Sequence, residues 1–304
     1  MFLFMQTMFL TMGFLFFLLM EISLPNIQLG SFTDVEGFSY LATRHSNELI
    51  FSLRQDGGLV VIDPKTGNAH NALNLRTLNV STDNVFDIAQ HGFSNFGGMI
   101  IPASSTYGDI AILEKDASMD IFVIGLSQAQ VFPFVMRIRV DKDGIISSAD
   151  VIAASSTSTA VGDYANTTRG IAVNNQGIVA TTLPYQNQGG AIFDRFITFS
   201  ADFPETGKQL PEIRLKGVDM HSMGMDVDPE GNFYIATGPL GTSLAGYGRS
   251  GALVKISPTG DSVHEIYSLN SELADSRDVT ISTRNNKAYM TILNYNQVVY
   301  MPLY

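Results

Sequence analysis

The chain has 304 residues, 45% of them hydrophobic and 15% charged, with a formal net charge of −11 at pH 7. That length suffices for one large core. The acidity and the lack of any Lys/Arg block argue against a nucleic-acid partner, whose binding rests on phosphate neutralisation; the absence of cysteine excludes disulfides, thiolate metal sites and cysteine nucleophiles.

Residues 1–20 carry no charged side chain and are mostly Phe, Leu and Met. As a helix they would span about 30 Å, the thickness of a bilayer core. The expected organisation is a hydrophobic helical signal or anchor over residues 1–21, followed by one domain over residues 22–304. An export signal, a retained membrane tether, a start placed too far upstream and a buried helix all stay open. The first basic residue is only Arg44, whereas a secretory leader begins basic. Export would place the domain outside the cytoplasm; a misplaced start would leave it inside. Two sequons, Asn79-Val80-Ser81 and Asn166-Thr167-Thr168, are glycan acceptors only in a eukaryotic secretory route.

Beyond Glu21 the pattern is short apolar strands separated by Gly, Asn and Asp turns. Gly58 to Gly67 and Gly251 to Gly260 match over ten positions as strand, Pro-containing turn and Gly, with Val135 to Gly144 a looser copy. A second unit, Gly170-Ile-Ala-Val-Asn-Asn-Gln-Gly177, returns at Gly224-Met-Asp-Val-Asp-Pro-Glu-Gly231 and at Asp278-Val-Thr-Ile-Ser-Thr-Arg-Asn285. Its starts are 54 residues apart twice (224 − 170 and 278 − 224). Phe233 to Thr237 and Ala288 to Ile292 read as the strands that return from two of these turns. A period of that size built from alternating strands predicts an all-β fold of the β-propeller type. Blades are expected to start near Gly37, Asp109, Gly170, Gly224 and Asp278. The stretch Asn84 to Ala103 adds strands at Val85 to Ala89 and Gly98 to Pro102, so the count favours six blades, with five plus an inserted hairpin as the alternative. The last blade reads one strand short, and Ile22 to Phe32 is the segment available to close the ring.

The Gly-[Ile/Met]-x-Val-[Asn/Asp]-x-x-Gly unit followed by an apolar strand resembles the NHL-repeat propellers and the related SMP-30 (regucalcin/gluconolactonase) group. That resemblance implies a propeller fold across residues 36–304. Its lactonase branch implies a divalent metal such as calcium above the central channel, held by a Glu in a Glu-Gly-Pro motif and by Asn and Asp at later blade starts. Here Glu36-Gly37-Phe38 stands for the first element, and Arg169-Gly170 and Met223-Gly224 stand where Asn-Gly and Asp-Gly are implied.

Long polar loops are expected at one end of the strands, and function tends to sit on such loops. The candidate ligand-binding residues there are Glu36, Asp163, Tyr164, Arg169, Tyr185, Gln186, His221, Tyr247, Arg249, Arg277, Asp278 and Tyr295. Arg169 and Arg277 precede a blade's first strand and offer donors to an anionic ligand, or pair with a carboxylate such as Asp278. His221 is a general-base or ligand candidate, or a structural hydrogen-bonding residue. Glu36 is the one metal candidate carried over from the motif, and no other cofactor is expected. Asp141-Lys-Asp-Gly144 lacks the late Glu of a calcium loop and reads as a turn. The resulting expectation is a monomeric, exported binding module for a small molecule, glycan or protein, with a metal-dependent lactonase or hydrolase as the alternative.

Overall fold

The computed structural model describes residues 38–43, 50–54, 57–63, 65–87, 92–96, 105–116, 118–127, 132–141, 145–155, 170–186, 192–203, 213–214, 220–239, 252–259, 262–268, 276–284, 287–294 and 298–302. These residues form an all-β structure of several sheets, with one short 3-10 turn at Leu75–Thr77. The expected leader, the domain division at residue 21 and the closing segment Ile22 to Phe32 lie outside them. Among the described residues no helix is long and apolar enough to cross a membrane.

The first sheet is an antiparallel meander of β1 (Phe38–Thr43), β2 (Ile50–Arg54), β3 (Gly58–Ile62) and β4 (Ala69–Asn74). The second contains β5 (Val85–Asp87), β6 (Gly92–Ser94), β7 (Ser105–Lys115), β8 (Ser118–Ser127), β9 (Phe132–Asp141) and β10 (Ile146–Ala154), in the order β6-β5-β10-β9-β8-β7. The third is the meander β11 (Ile171–Val173), β12 (Ile178–Gln186), β13 (Ile192–Ser200) and β14 (Ile213–Arg214). The fourth is β15 (Met220–Val227), β16 (Phe233–Pro239), β17 (Ala252–Ile256) and β18 (Val263–Ser268). The fifth has β19 (Ser276–Arg284), β20 (Lys287–Asn294) and β21 (Val298–Pro302).

Each of the five starts read from the sequence falls at or beside the first strand of a sheet: β1, β7, β11, β15 and β19. The matched Pro-Gly units are the turns between third and fourth strands, or between β9 and β10 in the second sheet. The final sheet has three strands among the described residues, in line with a repeat that is one strand short.

The sixth unit expected from Asn84 to Ala103 is corrected. Among the described residues there are five sheets, and β5 with β6 extends the second one instead of standing alone. The chain approaches through Ser81, whose N–H donates to Ala149 O (2.9 Å) and whose carbonyl accepts Val151 N–H (2.9 Å). Then β5 pairs in parallel with β10, Phe86 opposite Ala153 and Asp87 opposite Ala154. The physical reason is length: two three-residue strands cannot bury a face of their own, whereas the open edge of β10 offers backbone partners and a core. Phe86 reaches that core and meets Phe203 edge-on at 5.5 Å and Phe93 at 5.6 Å. Gly98 to Pro102, the other expected strand, lies outside the described residues.

Successive sheets pack face to face. Strand β8 is buried on both faces: Ile121 and Val123 join a core with Leu53, Leu59 and Val61 of the first sheet. Phe122 and Ile124, the alternate residues, join Val179, Ile197 and Phe199 of the third. The third sheet divides the same way, since Ala180 and Phe196 pack with Phe233, Ile235 and Val254 of the fourth. This is the period-two alternation of strands used twice, once for each neighbour. First strands also lie beside first strands: β1 by β7, β7 by β11, β11 by β15 and β15 by β19.

Candidate functional site

The two ends of the strands differ. At one end the chain turns tightly and caps its own turns. Asp63 accepts the N–H groups of Lys65 (2.8 Å) and Thr66 (3.4 Å), and its backbone carbonyl accepts Gly67 N–H (2.8 Å). Those amides hold the exposed Asp63 carboxyl below its ordinary value, Lys65 N–H contributing most. Asn174 Oδ1 accepts from Gln176 N–H (3.1 Å) and Ile178 N–H (2.9 Å); Asp228 Oδ1 accepts from Asn232 N–H (2.8 Å). Asp141 Oδ1 accepts Ile145 N–H at 2.8 Å across the connection between β9 and β10, whose residues 142–144 lie outside the described residues. The exception at this end is the connection of residues 201–212 between β13 and β14.

The other end carries the longest connection, residues 155–170 between β10 and β11, and residues 240–251 between β16 and β17, equal in length to 201–212. Here first strands begin, and four of the five begin with a break in the ladder. Phe38 faces Arg54 while Tyr40 faces Leu53, so Ser39 is the extra residue. Gly108 is extra between Tyr107 and Asp109, Met223 between Ser222 and Gly224, and Arg277 between Ser276 and Asp278. A bulge re-aims the residues around it and is common at functional rims. The positions that vary just before each sequence repeat are therefore the bulged ones, at Met223 and Arg277.

Five of the candidate ligand residues lie on described strands, all at this end. Tyr185 is on β12 opposite Phe193; His221 is on β15 opposite Gly238. Arg277 is the bulge of β19, and Asp278 follows it opposite Leu293. Because β15 and β19 pack side by side, His221 and the Arg277-Asp278 pair occupy the same end of adjacent first strands. Gln186 is opposite Ile192 at the end of β12. Glu36, Asp163, Tyr164, Arg169, Tyr247, Arg249 and Tyr295 lie outside the described residues.

Just behind the bulges, carboxylates tie one sheet to the next. Asp109 Oδ1 accepts Ile110 N–H (2.8 Å), while Oδ2 accepts Ile171 N–H of the third sheet (3.0 Å). Asp226 Oδ1 accepts Val227 N–H (2.8 Å), and Oδ2 accepts Ile281 N–H (2.7 Å) and the Thr280 hydroxyl (3.0 Å) of the fifth sheet. First strands leave one edge of N–H groups without a ladder partner, and these carboxylates supply the acceptor. The sequence did not mark either aspartate as a tie, since the first copy of the repeat has Ala172 where Asp226 stands (226 − 54).

The metal implied by the family resemblance would rest on Glu36, which lies outside the described residues. Met223, which stands where the resemblance implies an Asp, is the bulged residue of the fourth sheet. Among the described residues no three His, Asp or Glu side chains gather as a metal site, and Glu36 lies outside them. The buried acid–base cluster that does form serves the opposite end. Tyr234 donates to Asp228 Oδ2 (3.0 Å), and Lys255 Nζ sits 3.7 Å from the same oxygen. Burial first, and the Asp228 charge second, push the Tyr234 hydroxyl above its ordinary value, so it remains a donor.

No family model matches the chain, and no curated protein matches it. Among solved structures, a glucose dehydrogenase is similar over 88% of this chain and 96% of that one, at 10% identity and a TM-score of 0.37. A likeness at that level carries no argument about this chain's chemistry.

Proposed function

We propose that the chain is an exported β-propeller, of the NHL/SMP-30 kind that its repeat resembles, acting as a ligand-binding module through the end where its first strands begin. Face-to-face packing of successive sheets and adjacency of their first strands support the radial arrangement. The observation that carries the binding reading is the recurrent bulge. Four sheets break their ladders at the same end, beside the connections of residues 155–170 and 240–251, while the described turns of the opposite end, residues 201–212 apart, cap themselves. Small molecules, glycans and peptides are the ligand classes such a rim takes.

Screening the full chain against saccharide, small-acid and peptide collections tests this, with Arg277→Ala and His221→Ala compared against Lys65→Ala and Glu230→Ala at the opposite end. The rim variants weaken a specific interaction and the turn variants do not. Equal effects at both ends, or no specific ligand, would sink the reading. Export is tested separately by fractionating cells that carry the tagged chain with and without residues 1–20.

A further inference from the structure

The stretch between the 3-10 turn and β5 begins extended, with Leu78 at φ −70° and ψ 140°, and its side chains alternate. Leu78 and Val80 pack against the core shared by the first and second sheets, whereas Asn79 and Ser81 are exposed. Two-residue alternation thus turns both functional groups of the sequon Asn79-Val80-Ser81 to the outside. Main-chain bonds hold the segment in place: Ser81 N–H donates to Ala149 O and Val151 N–H donates to Ser81 O, both at 2.9 Å. That pairing uses neither the Asn79 amide nor the Ser81 hydroxyl.

An open groove of about 450 Å³ runs beside the sequon, bordered by Asn79, Ser81, Thr82, Asp83, Ser148 and Asp150. Its hydroxyls and carboxylates are hydrogen-bonding partners for a sugar. Ser81 bridges Asp150 in parallel, so Asn79 is about level with Ser148, toward the start of β10. That is the end with the tight turns, away from the bulged rim.

We infer that Asn79 is an N-glycan acceptor whose first sugar lies over this groove. The donor is an oligosaccharide on a lipid diphosphate. Asn79 Nδ2 bonds to the anomeric carbon, the bond from that carbon to the diphosphate oxygen breaks, the lipid diphosphate departs and the amide gives up one proton. The glycan covers the flank of the second sheet and leaves the proposed ligand end open. The inference rests on the export reading, in its eukaryotic form, because the transfer belongs to that secretory route. The second sequon, Asn166-Thr167-Thr168, lies outside the described residues.

The test produces the chain in a eukaryotic secretory host, in an Asn166→Gln background, with its own residues 1–21 and with a cleavable leader in their place. The leader-bearing protein should carry one glycan, removed by peptide N-glycosidase with deamidation at Asn79 read by peptide mass spectrometry. Asn79→Gln and Ser81→Ala abolish the mass shift, and Ser81→Thr keeps it. Moving the sequon by one residue separates the structure from the motif. Val80→Asn in the Asn79→Gln background uses Thr82 as its hydroxyl and places the acceptor on the inward face. Its modified product should be retained in the cell, while Val80→Gln in the same background, which has no sequon, is secreted.

A leader-bearing protein unmodified at Asn79 overturns the inference. So does a Val80→Asn glycoform that is secreted and melts like the Asn79 glycoform, since the outward face would then decide nothing. If the leader-bearing chain is modified while the chain with its own N-terminus stays unmodified in the cytoplasm, the export reading fails and Asn79 stands as an acceptor.

Discussion

The Asp226 carboxylate accepts the main-chain N–H of Ile281 at 2.7 Å, joining the first strand of the fourth sheet to the first strand of the fifth. Its other oxygen holds Val227 N–H, and Oδ2 also takes the Thr280 hydroxyl, so one side chain satisfies donors on both sheets. A sheet-to-sheet tie of this kind fixes the spacing of the bulged rim from behind.

Asp226→Ala removes the acceptor and leaves Ile281 N–H without it. The expected loss is about 1–3 kcal/mol of stability, the usual range for a donor stranded in this way. Asp226→Asn keeps an acceptor oxygen, weakens the charge assistance and costs less. Urea unfolding followed by far-UV circular dichroism gives the order wild type, then Asn, then Ala; equal midpoints for Ala and wild type would show that the tie contributes nothing.

Two glycines with positive φ separate backbone strain from crowding. Gly57 has φ +86°, and a Cβ there would lie 2.8 Å from the buried Tyr107 ring. Gly177 has φ +72°, with its nearest neighbour 3.9 Å away at Ala201. Gly177→Ala therefore bears only the left-handed penalty, about 1 kcal/mol. Gly57→Ala adds a clash with a buried ring and costs more, with overpacking typically worth about 1–3 kcal/mol. Thermal melts of the two variants should differ in that order, and a larger drop at Gly177 would contradict it.

The sequence was most legible where local chemistry decides the outcome. Gly170 to Gly177 and Gly224 to Gly231 announce themselves because Asn174 and Asp228 close their turns with their own side chains. The same holds for Asp63 to Gly67, where one carboxylate and one glycine define the turn. The β5–β6 hairpin was misread because a three-residue strand has no period, and its partner β10 comes much later in the chain and pairs in parallel. Of the rim residues, the end of the strands was legible for Tyr185, His221, Arg277 and Asp278. The bulges were not, since a ladder break depends on how two strands align.

Lys115 links the second sheet to the turn after β13, with Nζ 2.8 Å from Asp120 and 2.9 Å from Asp202. Burial would lower the Lys115 ammonium, but hydrogen bonds to the two carboxylates outweigh it and hold the group above its ordinary 10.5. Its contribution is thus complete below pH 10.5 and fades as pH rises through the raised value. The Lys115 hydrogen bond chiefly holds Asp202 below its ordinary 3.8, so that contribution is complete above pH 3.8 and fades as pH falls through the lowered value. Lys115→Met should flatten both the far-alkaline and the far-acid limb of the stability curve relative to wild type. Raised salt should shrink the difference for the exposed Asp202 partner. A variant curve parallel to wild type across the whole range would remove the pair from the account.

Asn174 and Asp228 stand 54 residues apart (228 − 174) and cap equivalent turns, yet their chemistry is not interchangeable. Asn174 uses its oxygen on its own turn and its amide on the next sheet, donating from Nδ2 to Gly231 O (3.2 Å) and Pro258 O (3.3 Å). Asp228 has donors around it: Asn232 Nδ2 at 2.8 Å, the Tyr234 hydroxyl and Lys255. Asn174→Asp keeps the turn but sets a buried carboxylate against two carbonyl oxygens, which repel it. Asp228→Asn keeps an acceptor for its turn but brings N–H donors toward Asn232, Tyr234 and Lys255, which are donors already. Each swap should cost about 1–3 kcal/mol although the repeat tolerates both residues. Because Asn174 ties the third sheet to the fourth, its variant should raise amide exchange at Gly231 and its turn; the Asp228 variant should loosen the fourth sheet alone. Hydrogen exchange read by mass spectrometry resolves the two patterns, and identical protection loss in both variants would mean that the Asn174 amide is not an inter-sheet tie.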